Sequence, residues 1–200
     1  MSSLKRWSVM MAWISLGVSA CQGPQDLCPP GQSPATMPAS GPAVTVTLAQ
    51  PRVLVEKAKR RLTLYDGGHV VKVYRACTGL VAGDKEREGD RKTPLGQFYV
   101  CYKNPESKYT LSLGLSYPNA EDAQRGLRDG LVSQEQYQAI MAAIAQHAQP
   151  PWDTPLGGEI MIHGAGSGRE GTAGCVGLDD DDIRELYPIL PVGTPVEIAP

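Results

Sequence analysis

A change in composition near residue 50 limits how much of this 200-residue chain can form a compact domain. Residues 22–50 contain three glycines, several small polar residues and six prolines, at positions 24, 29, 30, 34, 38 and 42. Such a segment has too little apolar content to form a packed core and behaves as a tether. We therefore expect a proline-rich tether over 21–50, followed by a single domain over 51–200.

The first twenty residues have the pattern of a signal peptide, which occupies 1–20 in this interpretation. Lys5 and Arg6 precede an uncharged, mostly apolar run over 7–18, which is short for a membrane span. Small residues then lead directly to Cys21, an arrangement that resembles the lipobox of bacterial lipoproteins. We expect lipid attachment at Cys21; plain secretion, with Cys21 as an incidental thiol, is the alternative.

The residue after the lipidated cysteine bears on which membrane holds the protein. In Gram-negative lipoproteins an Asp at this position resembles an inner-membrane retention signal, whereas here the residue is Gln22. We therefore expect an exported outer-membrane lipoprotein that faces the periplasm, with its membrane contact made through the N-terminal lipid.

Periodicity predicts a mostly β domain with a helical insertion and a short C-terminal helix. Alternating polar and apolar residues and turn signals predict strands, at 52–56, 61–65, 69–78, 96–102, 111–117, 159–163 and 194–198. Helical composition predicts helices at 119–128, 133–147 and about 180–187. Ser133 and Gln136 have capping-box spacing. The acids at 179–182 are expected to cap the last helix rather than bind calcium.

The segment that carries chemistry is a strand ending in His163-Gly164, followed after a glycine-rich loop by Gly174-Cys175. A cysteine must be a thiolate to attack a carbonyl, and a neighbouring imidazole can take its proton. Gly174 has no side chain to obstruct a substrate, and the amides of Gly174 and Cys175 are candidate oxyanion donors. The backbone carbonyl of Gly164 is the candidate group to orient the imidazole.

From the pattern alone, non-catalytic interpretations of the same residues remain open. A cysteine is often a small buried hydrophobic residue, and a histidine often has a structural role. No second Cys or His lies at ligand spacing, so we predict no metal, and the chemistry calls for no cofactor.

Several blocks, in order along the chain, resemble the L,D-transpeptidase catalytic domain, the YkuD-type fold. The likeness covers roughly residues 52–198. Its blocks are 61–79, the "G-D-x-x-T-P-x-G" turn at 89–96, Ile162-His163-Gly164, 172–178 and 182–198. The resemblance implies a β-sandwich-like domain with Cys175 as the acyl-accepting nucleophile and His163 as the general base. It also assigns Thr172, three residues before the cysteine, to the substrate-binding set.

Two departures from the family pattern separate this sequence from its common form. Ala173 stands where a second histidine is common, and Gly177 stands where an arginine is common. Arg169, in the loop, is the nearest cation that could substitute in substrate binding. These features resemble a divergent branch that includes enzymes hydrolysing the bond between peptidoglycan and an attached lipoprotein.

The remaining cysteines and the overall charge constrain partners and redox state. If Cys21 carries lipid and Cys175 reacts, Cys28, Cys77 and Cys101 remain. Cys77 and Cys101 both fall in predicted strands and could form a disulfide, although sequence does not fix the pairing. The net charge of −2, without a basic run, argues against nucleic acid as a partner.

The functional prediction is a peptidoglycan-modifying cysteine enzyme that forms an acyl-enzyme at Cys175 on stem peptides. An amine acceptor would make it a transpeptidase, whereas water would make it a hydrolase that releases peptide or lipoprotein. The loss of polar side chains at 173 and 177 favours water. An inert wall-binding lipoprotein that keeps the fold is a third possibility.

Overall fold

A computed structural model describes residues 47–166 and 170–200. The predicted signal peptide, the tether as far as residue 46, Cys21, Cys28 and Arg169 lie outside the described residues.

The described chain forms one sheet of eight strands and three helices. The strands are β1 (Pro51–Glu56), β2 (Arg61–Asp66), β3 (His69–Arg75), β4 (Gly96–Asn104), β5 (Ser112–Leu115), β6 (Met161–His163), β7 (Val176–Gly177) and β8 (Pro195–Ala199). The helices are α1 (Ala120–Arg128), α2 (Gln134–Ala145) and α3 (Asp180–Ile189). The prediction of a mostly β domain with a helical insertion and a C-terminal helix is confirmed.

The strand order in the sheet is β3-β2-β1-β8-β4-β5-β6-β7. Two pairs, β1 with β8 and β6 with β7, are parallel, and the other neighbours are antiparallel. Residues that follow β3 reach the far edge of the sheet, because Cys77 and Gly177 exchange two backbone hydrogen bonds of 2.9 and 2.8 Å. The sheet therefore curls until its two ends meet.

The main core lies against one face of this curled sheet and under α3. It includes Leu62, Leu64, Leu113, Leu115 and Ile162, each with no exposed surface. Full burial of such a side chain contributes about 1.5–3 kcal/mol to the free energy of unfolding. This core fixes the strands whose opposite face forms the site.

The helical insertion has a small core of its own. Ile140 of α2 packs with Ala123, Val132 and Leu156, all buried. The predicted capping box is present, since Ser133 Oγ accepts from the Gln136 amide and Gln136 Oε1 accepts from the Ser133 amide. No helix in the ranges that the structure describes is long and apolar enough to cross a membrane.

The disulfide between Cys77 and Cys101, which the sequence left open, is not formed in this structure. Cys77 follows β3 while Cys101 lies in β4, and β2, β1 and β8 lie between those strands in the sheet order. The Cys77 Sγ instead lies 3.7 Å from the Gly166 carbonyl oxygen, and the Cys101 Sγ lies 3.5 Å from that of Gly114.

Candidate active site

The register of β4 to β7 builds the floor of a cleft on the face opposite the core. Because side chains alternate along a strand, residues in register share a face. One row across this face contains Tyr102, Gly114 and Met161 in register, with Cys175 beside Met161 because its neighbour Val176 pairs with Ile162. The histidine and the cysteine therefore lie on the same face of adjacent strands.

A second row runs parallel to the first, displaced by two residues along each strand. It contains Asn104, Ser112, His163 and Gly177 in register. Above the two rows lies a cavity of about 810 Å³, and both His163 and Cys175 line it. The two predicted catalytic residues thus share one cleft.

His163 is buried and held through its own ring. Its Nδ1 lies 2.5 Å from the carbonyl oxygen of Gly164, the contact expected from the sequence. Because a carbonyl oxygen only accepts, Nδ1 carries the hydrogen and Nε2 is the basic nitrogen. The ring of Tyr109 stacks on the imidazole, with centroids 4.5 Å apart and planes 25° apart.

Asp180, in the first turn of α3, ties together the two segments that hold this imidazole. Its Oδ1 accepts from the Ala165 amide at 2.7 Å and from the Thr110 hydroxyl at 2.8 Å. Ala165 and Thr110 both have left-handed backbones, with φ of 56° and 74°. These hydrogen bonds, with that of Ala165 the stronger influence, hold the pKa of the Asp180 carboxyl below its usual value. The carboxylate is therefore charged and stabilises two strained turns on either side of His163.

The sequence did not indicate a role for Tyr109 or Asp180 at the site. The acids at 179–182 were expected to cap α3; Asp179 is the N-cap residue but makes no side-chain capping hydrogen bond, and Asp180 lies in the first turn. Its side chain, however, reaches across to residues 110 and 165, which are remote in sequence. Only the tertiary structure brings these segments together.

The side chain of Cys175 is held less firmly than that of His163. Its Sγ–H points to the carbonyl oxygen of Glu159, 3.5 Å away. Burial raises the pKa of the Cys175 thiol, and this outweighs the lowering by the Met161 backbone amide and by the charge of Lys85. The thiol is therefore protonated at neutral pH when the cleft is empty, and attack requires transfer of its proton to a base.

Backbone and hydroxyl contacts hold the loop that presents Cys175. The hydroxyl of Thr172 donates to the Cys175 carbonyl at 2.6 Å and accepts from the Gly174 amide at 3.1 Å. The hydroxyl of buried Thr93, in the Thr-Pro turn, also donates to the Cys175 carbonyl at 3.3 Å. Thr172 thus contacts the nucleophile loop, and the contact with substrate that the resemblance implies stays a prediction.

Gly174 is required by the packing of the loop, whereas its predicted role of leaving room for substrate stays a prediction. Its φ is +137°, and a Cβ built there would lie 2.8 Å from the Lys92 carbonyl oxygen. The absence of a side chain therefore permits close packing beneath the loop. The Gly174 amide already donates to the Thr172 hydroxyl, so we keep the Cys175 amide as the candidate oxyanion donor of the two predicted.

Gly177 cannot carry a side chain in this structure. A Cβ built on it would lie 2.7 Å from the Sγ of Cys77, which occupies the space over this position. Ala173, the other departure, is exposed and lines the cleft. The predicted substitute cation, Arg169, lies outside the described residues.

Lys85 is a cation of the cleft that sequence reasoning missed. Its side chain lines the cavity together with Cys175, yet the residue is only 3% exposed. Its ammonium group donates to the Arg87 carbonyl at 2.8 Å and to Asp90 Oδ1 at 2.9 Å. The positive charge of Lys85 lowers the pKa of the Cys175 thiol.

The described ranges contain no group of three or more His, Cys, Asp or Glu side chains that could hold a metal ion. Helices α1 and α2 do not line the cleft, whereas Gln149 and Trp152, which follow α2, do.

Sequence comparison agrees with this architecture. Residues 50–198 match the family model of the L,D-transpeptidase catalytic domain, YkuD. The chain belongs to the L,D-transpeptidase catalytic domain family. No curated protein matches the sequence.

Two solved structures illustrate the similarity in fold. The helical cell shape determining protein Pgp2 from Campylobacter jejuni is 24% identical, with a TM-score of 0.52, over 74% of this chain and 47% of Pgp2. Bd1075 from Bdellovibrio bacteriovorus is 22% identical, with a TM-score of 0.50, over 76% of this chain and 48% of Bd1075. This chain thus spans about half the length of each, and at these identities the likeness shows the fold.

Proposed function

We propose that this chain is a cysteine enzyme that acts on peptidoglycan stem peptides in cell wall remodelling. The observation that carries this proposal is the shared cleft, in which an oriented imidazole with Nε2 as its basic nitrogen accompanies the Cys175 thiol. Membership of the L,D-transpeptidase catalytic domain family supports acyl transfer as the reaction type.

In the acylation step His163 Nε2 takes the thiol proton and Cys175 Sγ attacks the carbonyl next to a D-configured centre. The C–N bond breaks, the leaving amine receives the proton from His163, and a thioester to Cys175 remains. The Cys175 amide is the candidate group to stabilise the oxyanion. No other reactant is needed to balance this step.

The second step resolves the thioester, and we propose water as the group that does so. Water gives up one proton to His163, attacks the carbonyl and releases a carboxylic acid, and the proton returns to Cys175. Two features favour water over an amine acceptor. Ala173 offers no polar side chain to the cleft, and the sulfur of Cys77 excludes any side chain at Gly177.

The location of the enzyme is part of the proposal. Lipid on Cys21 would anchor the chain in the outer membrane, facing the periplasm, and the tether would let the domain reach nearby wall peptides. Replacing Cys21 with Ala should release the protein from the membrane fraction. An unmodified mature N-terminus on a soluble protein would contradict this part alone.

The reaction is tested by incubating the protein with tetrapeptide-bearing muropeptides and with sacculi that carry linked lipoprotein, followed by mass spectrometry. The proposal predicts loss of linked lipoprotein or of a terminal residue in the wild type and none in Cys175→Ala. New cross-links that depend on Cys175, without such losses, would replace hydrolysis with transpeptidation.

An inert wall-binding protein with the same fold is distinguished by covalent trapping. A carbapenem should acylate the reactive thiol and add its mass to the wild type but not to Cys175→Ala. Cys101→Ala is the matched control, because burial raises the pKa of the Cys101 thiol to about 12 and makes it unreactive. The absence of an adduct on the wild type would favour the inert protein.

A further inference from the structure

The cleft extends well beyond the catalytic pair. Along the row that begins at Cys175, the positions of Met161, Gly114 and Tyr102 follow on successive strands. Adjacent strands are about 4.8 Å apart, so the far end of this row lies about 10–14 Å from the nucleophile. That part of the cleft plays no role in the chemistry described above.

Two aromatic rings form a corner at this far end. Tyr102 is 40% exposed and Trp152 is half-buried, and both line the cavity. Their centroids are 6.3 Å apart and their planes meet at 80°, so the rings stand edge to face. Such a corner offers an aromatic face to a ligand in the cleft.

Two glycines hold Trp152 in this position. A Cβ on Gly114 would lie 3.2 Å from the tip of the indole ring, and a Cβ on Gly158 would lie 2.3 Å from Trp152 Cβ and Cγ. The Gly158 contact leaves no room for a side chain, because real Cβ atoms do not approach so closely. The ring is therefore fixed by its surroundings while part of its surface stays open to the cleft.

Polar side chains accompany the aromatic corner. Asn104 lies two residues from Tyr102 on the same face of β4, and Gln149 lies close in sequence to Trp152. Both line the cavity and offer amide donors and acceptors. An aromatic face with neutral amides beside it suits the apolar C–H face and the hydroxyl or acetamido groups of a sugar ring.

We infer that the Tyr102–Trp152 corner is a carbohydrate subsite that binds the amino-sugar ring to which the stem peptide is attached. The inference rests on the proposed function. An extended peptide covers about 3.3–3.6 Å per residue. A sugar separated from the attacked carbonyl by about three residues therefore reaches the corner, about 10–14 Å from Cys175.

The test compares a disaccharide tetrapeptide with the same tetrapeptide lacking sugar, using the full chain. The wild type should show a kcat/KM about fivefold to tenfold higher for the sugar-bearing substrate. Tyr102→Ala should remove this preference by raising KM for the sugar-bearing substrate and leave the free peptide unchanged, whereas Tyr102→Phe should keep it. Tyr65→Ala, outside the cleft, is the control.

Equal rates on both substrates in the wild type would overturn the subsite while leaving the proposed function in place. Equal losses on both substrates in Tyr102→Ala would assign the ring a structural role and also overturn it. If neither substrate is processed, the proposed function fails. Binding of the sugar to the protein is then measured directly. Saturation-transfer NMR of the free disaccharide with Cys175→Ala protein should then show contact that Tyr102→Ala abolishes, and no contact would overturn the inference.

Discussion

The two proposed catalytic side chains are held in opposite ways. The imidazole of His163 is fixed through its own atoms, by the Gly164 carbonyl and the Tyr109 ring, and Asp180 stabilises both segments. Cys175 is fixed through its backbone carbonyl, while its sulfur lies 3.5 Å from the Glu159 carbonyl oxygen and near the Met161 backbone amide. The base is therefore prepared before substrate arrives, whereas the nucleophile still has a proton to lose.

The largest expected effect comes from removing either member of the pair. Cys175→Ala and His163→Ala should each lower kcat by about 10³-fold or more, since nucleophile and base act as a unit. Turnover of muropeptides measures this, with circular dichroism to verify folding. A His163→Ala protein with near wild-type turnover would show that another group takes the thiol proton.

Removing the Asp180 carboxylate tests whether catalysis by His163 depends on the hydrogen bonds that Asp180 makes to the neighbouring segments. Asp180→Ala should lower kcat roughly 10–100-fold, the usual cost of losing a group that orients a catalytic residue. KM should change little, and Asp180→Asn should retain part of the rate because its oxygen still accepts. Asp181→Ala is the control, since Asp181 is fully exposed on the same turn and pairs with Arg184. If Asp180→Ala and Asp181→Ala lower kcat equally, the effect comes from a change in α3 as a whole and not from the hydrogen bonds of Asp180.

The Asp180 carboxylate also leads to a prediction for acid pH. Because the pKa of Asp180 is lowered in the folded state, its stabilising contacts persist below pH 4 and weaken as pH falls through that lowered value. Protonation of Asp180 therefore should not contribute to a change of activity between pH 5 and 7, and the shape of the pH profile in that range should be the same in Asp180→Asn. A different shape in Asp180→Asn would show that the charge of Asp180, and not only its hydrogen bonds, matters for the reaction.

Near Cys175, the packing at Gly177 is the feature most sensitive to substitution. Gly177→Ala should lower the free energy of unfolding by about 1–3 kcal/mol, because the added methyl group meets the Cys77 sulfur. Urea unfolding measures the change, and Cys77→Ala in the same chain should restore part of the stability. Gly68→Ala is the control, since a Cβ there meets nothing within 4 Å. A destabilisation that Cys77→Ala does not relieve would point to the backbone instead.

The smallest expected effect concerns the charge near the thiol. Lys85→Met should raise the pKa of Cys175 further and slow its alkylation by iodoacetamide at neutral pH severalfold, because a smaller fraction of the thiol is ionised. The pH dependence of the alkylation rate reports this directly. Because Lys85 also binds Asp90, the double variant with Asp90→Asn separates charge from folding. If the pH dependence of alkylation is unchanged in both proteins, the charge of Lys85 does not affect the pKa of the Cys175 thiol.

The sequence predicted what depends on local pattern. Alternation and capping residues predicted the three helices and seven of the eight strands closely, because each depends on neighbours within a few residues. The two-residue β7 was missed. The motifs placed His163 at the end of a strand and Cys175 at the end of the loop that follows, and the register then brings both into one cleft. Contacts between remote segments could not be predicted in this way.

Three particular cases show where that boundary lies. Whether Cys77 pairs with Cys101 was left open, because it depends on the strand order, which a list of strands does not contain. Asp180 had the pattern of a helix-capping acid, and this pattern did not indicate a hydrogen bond to Thr110. Arg169 stays a prediction because it lies outside the described residues, whereas Lys85, which the sequence did not single out, comes to the cleft from a loop remote in sequence.

The position of β7 has a consequence for when the enzyme becomes competent. This two-residue strand, next to the nucleophile, is held on one side by β6 and on the other by Cys77, about a hundred residues earlier in the chain. Contacts between segments so distant in sequence form late, because long loops must close first. The nucleophile is therefore set in place only when the first and last parts of the domain have come together. A nascent or partly unfolded chain would carry the cysteine without the geometry to use it.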